Sequence, residues 1–158
     1  MKCANCKETP NFHSFDPMCK VSDVDIFYCL PAHNKRSVQT REDMLNFVSH
    51  FPQDRKWSVV FHANGYGMQH MMPIPTAIEM GQITQRNPFL QKVYIVEGSW
   101  FMTFLLRCIL PFLNQEMKEK FVLLEGSLLE VVTQLKQEGF LLQDLKPMLK
   151  HFGKKIEG

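Results

Sequence analysis

Four short apolar runs, Ile26–Leu30, Trp57–His62, Val93–Val96 and Phe121–Leu124, recur along the chain, and each is separated from the next by a stretch long enough for a helix. That spacing constrains the fold more than any other feature. Short runs rich in Val, Ile, Phe and Tyr are of strand length. Two antiparallel strands can be joined by a tight turn, whereas parallel neighbours need a crossover of about a dozen residues or more, usually a helix. The pattern therefore predicts an α/β domain with a mostly parallel sheet of at least four strands covered by helices. Trp57–His62 is apolar on successive positions, as a strand is when both faces of its sheet are covered.

The intervening segments carry helix signals. Thr40 stands three residues before Asp43 and ahead of an apolar face of Leu45, Phe47, Val48 and Phe51, with Pro52 as the stop. Residues 73–86 place Ile74, Ala77, Ile78 and Ile83 at near-helical spacing, with the prolines in the first turn. Ser99 can cap the apolar stretch Trp100–Leu110, which Pro111 ends, and Asn114 can cap a short turn through Lys118. Ser127 and Glu130 form a capping box ahead of Leu128, Val131, Val132 and Leu135, with Gly139 at the far end. A last short helix is expected between Leu141 and Phe152. Residues 1–23 show little periodicity and contain Pro10 and Pro17, so an irregular amino-terminal arm is expected there, with the domain proper over residues 24–158.

A chain of 158 residues supports one hydrophobic core. With 18 Lys and Arg against 16 Asp and Glu, no broad positive field draws it to nucleic acid. Thirteen Phe and ten Met are a heavy apolar load, which implies either a Phe-rich core or contact with something apolar that is not protein. The opening MKCANCKETP holds no continuous apolar stretch, so no secretory signal is expected, and the five cysteines read as reduced thiols. A cytoplasmic location follows, with transient visits to membranes. Cys29 and Cys108 lie in apolar stretches and are expected to pack as small hydrophobes.

Strand exits are where an α/β sheet offers ligands a crevice. None here carries a dinucleotide fingerprint or a Walker loop. Asn64-Gly65-Tyr66-Gly67 is a fragment of a glycine-rich loop. Ser127 sits where a nucleophile elbow would place a serine, but its capping role accounts for it. His62, Glu97 and Glu125 lie at strand ends and can meet as an acid/base cluster or as ordinary hydrogen-bonding groups. No nucleophile and base pair emerges, so no catalytic residue and no cofactor is assigned, and a binding protein is expected rather than an enzyme. Cys3, Cys6, His13 and Cys19 offer four soft donors of the kind zinc takes, but the second pair is widely spread. A zinc knuckle and an unpaired arm both stay open, and no metal site is assigned.

Trp100–Leu110 is the anomaly. A helix covering a sheet normally has a polar back, yet here only Thr103 and Arg107 interrupt the apolar character. Such a helix is either buried among neighbours or borders a cavity or a membrane interface, with Arg107 and Lys118 able to meet phosphates. At eleven residues it is too short for a bilayer span, which takes about 20.

The segment from Val93 through Glu97-Gly-Ser99, Trp100–Leu110, Pro111-Phe-Leu113 and Lys118-Glu-Lys120 into Phe121–Leu124 resembles the central signature of the CRAL-TRIO family, and Leu145-Lys-Pro-Met-Leu-Lys-His-Phe-Gly153 resembles its late segment. The resemblance implies a domain that holds a hydrophobic molecule, such as a phospholipid, between a parallel sheet and mobile helices, and it makes the 100–112 helix the gate. It places Phe101, Phe104, Leu105, Cys108 and Ile109 at or near that gate. Val59, Phe61, Tyr94, Val96 and Leu123 become sheet residues facing either the cavity or the back helices. The early first strand and the run from Tyr66 to Pro75 make the chain more similar to the compact branch found with Rho GTPase-activating and macro-domain proteins. Some domains of that branch bind proteins, including small GTPases or one another. The partner is accordingly a lipid or other hydrophobic molecule, met at a peripheral membrane surface, or alternatively a protein bound by a domain whose cavity is filled or reduced.

Overall fold

The computed structural model describes residues 4–8, 12–34 and 37–153. A five-stranded sheet runs through the molecule in the order β1-β2-β3-β4-β5. Its strands are β1 (Asp16–Val21), β2 (Val24–Cys29), β3 (Trp57–His62), β4 (Leu90–Val96) and β5 (Phe121–Leu124). From β2 onward every pair is parallel. β1 alone is antiparallel, a hairpin partner of β2.

β1 departs from the irregular arm expected over residues 1–23. Its sequence, Asp-Pro-Met-Cys-Lys-Val, lacks the apolar density of the other strands. As an edge strand it tolerates Pro17, and the ladder shifts register between Pro17 and Cys19. Ser22 takes a left-handed backbone (φ 55°) to make the tight turn into β2. A short helix, α1 (Ala4–Glu8), precedes it.

The helices are α2 (Arg41–Val48), α3 (Ile74–Gln85), α4 (Trp100–Ile109), α5 (Gln115–Lys120), α6 (Leu128–Gln137) and α7 (Lys146–His151). Local chemistry fixes their starts. The Thr40 hydroxyl accepts the Asp43 N–H at 3.0 Å, and the Asp43 carboxylate accepts the Thr40 N–H at 3.3 Å. Ser127 and Glu130 form the same reciprocal box on α6, so the serine holds a helix end. Ser99 and Asn114 accept from Met102 and Met117 at the heads of α4 and α5.

Sequential strand order decides where the helices lie. Right-handed crossovers between neighbouring parallel strands place every intervening helix on one face. One core accordingly joins Met44 and Phe47 of α2, Met102 and Leu106 of α4 and Met117 of α5 to Phe27, Trp57, Val59, Val93 and Ile95 of the sheet. The chain returns over the opposite face only after β5. There Val131, Val132 and Leu135 of α6 and Met148 of α7 pack on Ile26, Tyr28, Val60, Tyr94 and Val96. Strand residues alternate between the two cores, as the pleat requires.

Candidate functional site

On the α2–α5 face the packing leaves a gap. The sheet contributes Val59, Phe61, Val93 and Ile95, and α4 contributes Met102, Leu105, Leu106 and Ile109. Phe47 and Phe51 close one side, and Tyr66, Met72, Ala77 and Met80 close the other. Water-sized space inside is about 150 Å³, within a groove whose whole empty volume, open to solvent in part, is about 1130 Å³. Cavities of about 150 Å³ lined by aliphatic and aromatic groups stay dry and accept a molecule the size of benzene. A pocket that encloses a drug-sized ligand has about 300–1,000 Å³. The enclosed part of the groove is therefore large enough for part of a hydrocarbon chain.

Polar groups in the lining are few: Asn34, Ser37, Tyr66, His70 and Thr84. Burial pushes the Tyr66 phenol up to about 12 and holds the His70 imidazole below its usual range, so both are neutral at pH 7. His70 Nδ1 accepts the Gly67 N–H at 3.0 Å, and Thr84 donates to the Met80 carbonyl at 2.7 Å. Among the described residues the wall carries no charged side chain and offers hydrogen bonds at a handful of points.

α4 is two-sided. Met102, Leu105 and Leu106 are buried over the cavity, while Trp100 is 70% and Phe104 39% exposed. The Trp100 and Phe104 rings stack in solvent, 5.6 Å apart and tilted by 12°. Arg107 and Lys118 are exposed, and Phe112 of the following 3-10 turn is 54% exposed. The polar back expected of a sheet-covering helix is replaced by an outward aromatic pair beside a cation.

The sequence-derived residues divide accordingly. Val59, Phe61, Leu105 and Ile109 line the cavity. Tyr94 and Val96 belong to the opposite core, one pleat out of phase with Val93 and Ile95. Phe101 packs at the margin of the α2–α5 core, Cys108 is half-buried, and Phe104 and Leu123 point to solvent. Periodicity of two along β4 separates Tyr94 from Val93 once one inward position is known. Tyr66, Met72 and Met80, by contrast, reach the cavity through loop and α3 geometry that carries no sequence signal.

His62 and Glu97 do meet, with Nε2 2.7 Å from the Glu97 carboxylate, while Nδ1 lies 2.6 Å from the Tyr28 hydroxyl. Glu125 is exposed and does not join them. Burial lowers the His62 pKa more than its bond to Glu97 raises it. The neutral ring donates from Nε2 to Glu97 and accepts from Tyr28 at Nδ1. Glu97, in a left-handed backbone (φ 53°), also accepts the Gly153 N–H at 2.9 Å. With His62 fully buried and Tyr28 nearly so, this trio ties β2, β3 and β4 to the end of α7. Tyr66 of the Asn64–Gly67 loop is itself buried, so that loop supplies a cavity wall.

The four soft donors of the amino-terminal segment are divided too. Cys6 and His13 come together on the α2 side, whereas Cys19 packs against the opposite core, where burial and then Asp144 push its thiol up to about 11. Cys3 lies outside the described residues.

The CRAL/TRIO domain model matches residues 25–141. The chain belongs to that family, a class of non-catalytic domains that bind lipids. Among solved structures, the crystal structure of Sfh5 superposes with a TM-score of 0.51 and 12% identity over 74% of this chain and 50% of that one. At that identity the likeness concerns the fold, and the matched region spans half of the Sfh5 chain. No curated protein matches the chain. Among the described residues no helix is long and apolar enough to cross a membrane.

Proposed function

We propose that the chain binds a phospholipid or another hydrophobic molecule without catalysis, holding its apolar part between the sheet and α4. α4 acts as the gate. The carrying observation is the apolar cavity bounded on one side by a helix whose other side displays stacked aromatics. A buried wall of aliphatic and aromatic groups gains about 0.8 kcal/mol for each ligand CH₂ withdrawn from water. The small enclosed space at the bottom of the groove couples ligand entry to displacement of α4 in this reading. Trp100, Phe104 and Phe112 would enter the membrane interface while Arg107 and Lys118 meet lipid phosphates, so the gate opens where its exposed apolar surface is covered. This reading assigns a cytoplasmic protein that visits membranes transiently.

A second reading is favoured by one observation. Leu123 on the edge strand β5, and Leu128 and Leu129 at the head of α6, are exposed. In the compact branch that accompanies Rho GTPase-activating and macro-domain proteins, such a surface would serve self-association or a small GTPase.

Labelled phospholipid in vesicles separates the two. The chain is expected to extract it, and Val59→Phe, which adds a ring inside the cavity, is expected to reduce extraction at least tenfold with unchanged far-ultraviolet circular dichroism. Equal extraction by the variant, or none by the native chain, contradicts the cavity reading.

A further inference from the structure

Outside the cavity, three metal-ligating side chains from distant parts of the sequence converge on one point. α1 carries Cys6, the segment leading to β1 carries His13, and His50 follows α2. Cys6 Sγ is 3.5 Å from His50 Nε2 and 3.9 Å from His13 Nδ1, and the two nitrogens are 3.2 Å apart. Cys6 and His13 are buried and His50 partly so.

The dimensions of this triangle are those of a zinc coordination shell. Zinc bonds of about 2.3 Å to sulfur and about 2.0–2.1 Å to nitrogen, at tetrahedral angles, hold S and N about 3.6 Å apart and two nitrogens about 3.4 Å apart. All three observed edges agree with these spacings to within about 0.3 Å. Hydrogen bonding serves the same triangle less well. A neutral imidazole nitrogen carries either one in-plane proton or one in-plane lone pair, so it cannot serve two neighbours fully. A cation at the centre takes a lone pair from each vertex.

We propose that Cys6, His13 and His50 bind a zinc ion. The donor set, one thiolate and two imidazoles, suits zinc better than magnesium or calcium, which take oxygen. The metal would staple the amino-terminal segment to the end of α2. Phe15 lies just beyond, stacked on Phe27 with centroids 4.8 Å apart, and it lines the cavity with Phe47. A zinc there fixes one wall of the cavity without touching its contents, and its existence does not depend on the lipid reading.

The test is metal content of the full, untagged chain purified from zinc-supplemented culture under reducing conditions. One zinc per chain is expected, together with a thiolate-to-cobalt charge-transfer band when Co²⁺ replaces it. Cys6→Ser and His50→Ala are expected to lose the metal, and Cys19→Ser, on the opposite face of the sheet, to keep it. In case the site variants fail to fold, the native chain carries a second measurement: chelation should lower its melting temperature and added zinc restore it. Absence of both zinc and the cobalt band from the folded native chain overturns the site, as does metal loss from Cys19→Ser equal to that from Cys6→Ser.

Discussion

His62 has no exposed surface, yet its ring is bonded at both nitrogens, to Tyr28 and to Glu97. Its pKa is held below the ordinary 6.5 because burial disfavours the imidazolium. The sign of the linkage follows. Below about pH 6.5 the unfolded chain takes up a proton that the folded chain refuses, so stability is lost as pH falls through that range toward the folded pKa. His70 is shifted the same way. Urea unfolding is expected to show the native chain weakening between about pH 7 and pH 5, with a shallower decline for His62→Leu. At pH 7 that variant should also be less stable by about 1–3 kcal/mol, since the buried Tyr28 hydroxyl loses its partner. An unchanged pH slope in His62→Leu would show that the ring is not a source of the linkage.

At the scale of elements, α4 presents two faces of different character, one over the cavity and one toward solvent. Met102, Leu105, Leu106 and Ile109 recur at three- and four-residue spacing over the cavity, while Trp100 and Phe104 share the outer side. Replacing the outer pair, Trp100→Ser with Phe104→Ser, removes the apolar surface that α4 shows to solvent, 70% of Trp100 and 39% of Phe104 being exposed. The double variant is expected to keep its melting temperature within a few degrees and to lose most of its cosedimentation with anionic vesicles. Undiminished binding would remove α4 as the membrane contact. Helix starts were largely legible in the sequence, because a cap is a local event: Thr40 with Asp43, and Ser127 with Glu130, bond across three residues. β1 was not legible. Its strand character comes from pairing with β2, and Pro17 together with the register shift before Cys19 erases the alternation that would have marked it.

For the whole molecule, the decisive fact is that parallel strands follow one another in sequence order. This sends α2 to α5 to one face and α6 and α7 to the other. Parallel architecture could be read from the spacing of four apolar runs, and the apolar helix after Val96 could be singled out in the same way. The cavity was only half readable. The family resemblance implied Val59, Phe61, Leu105 and Ile109, which line the cavity, but which face of the sheet holds the space depends on the topology, and Tyr94 and Val96 fall on the other side. His50 joins Cys6 and His13 across 44 and 37 residues, a proximity that no local pattern encodes.

Ligand carriage by the space behind α4 is most directly tested by native mass spectrometry of the chain purified from cells without detergent. The account predicts a species heavier than the polypeptide by the mass of one lipid, released on collisional activation and absent from Val59→Phe. A polypeptide that carries no such mass, and gains none after incubation with phospholipid vesicles, would contradict it.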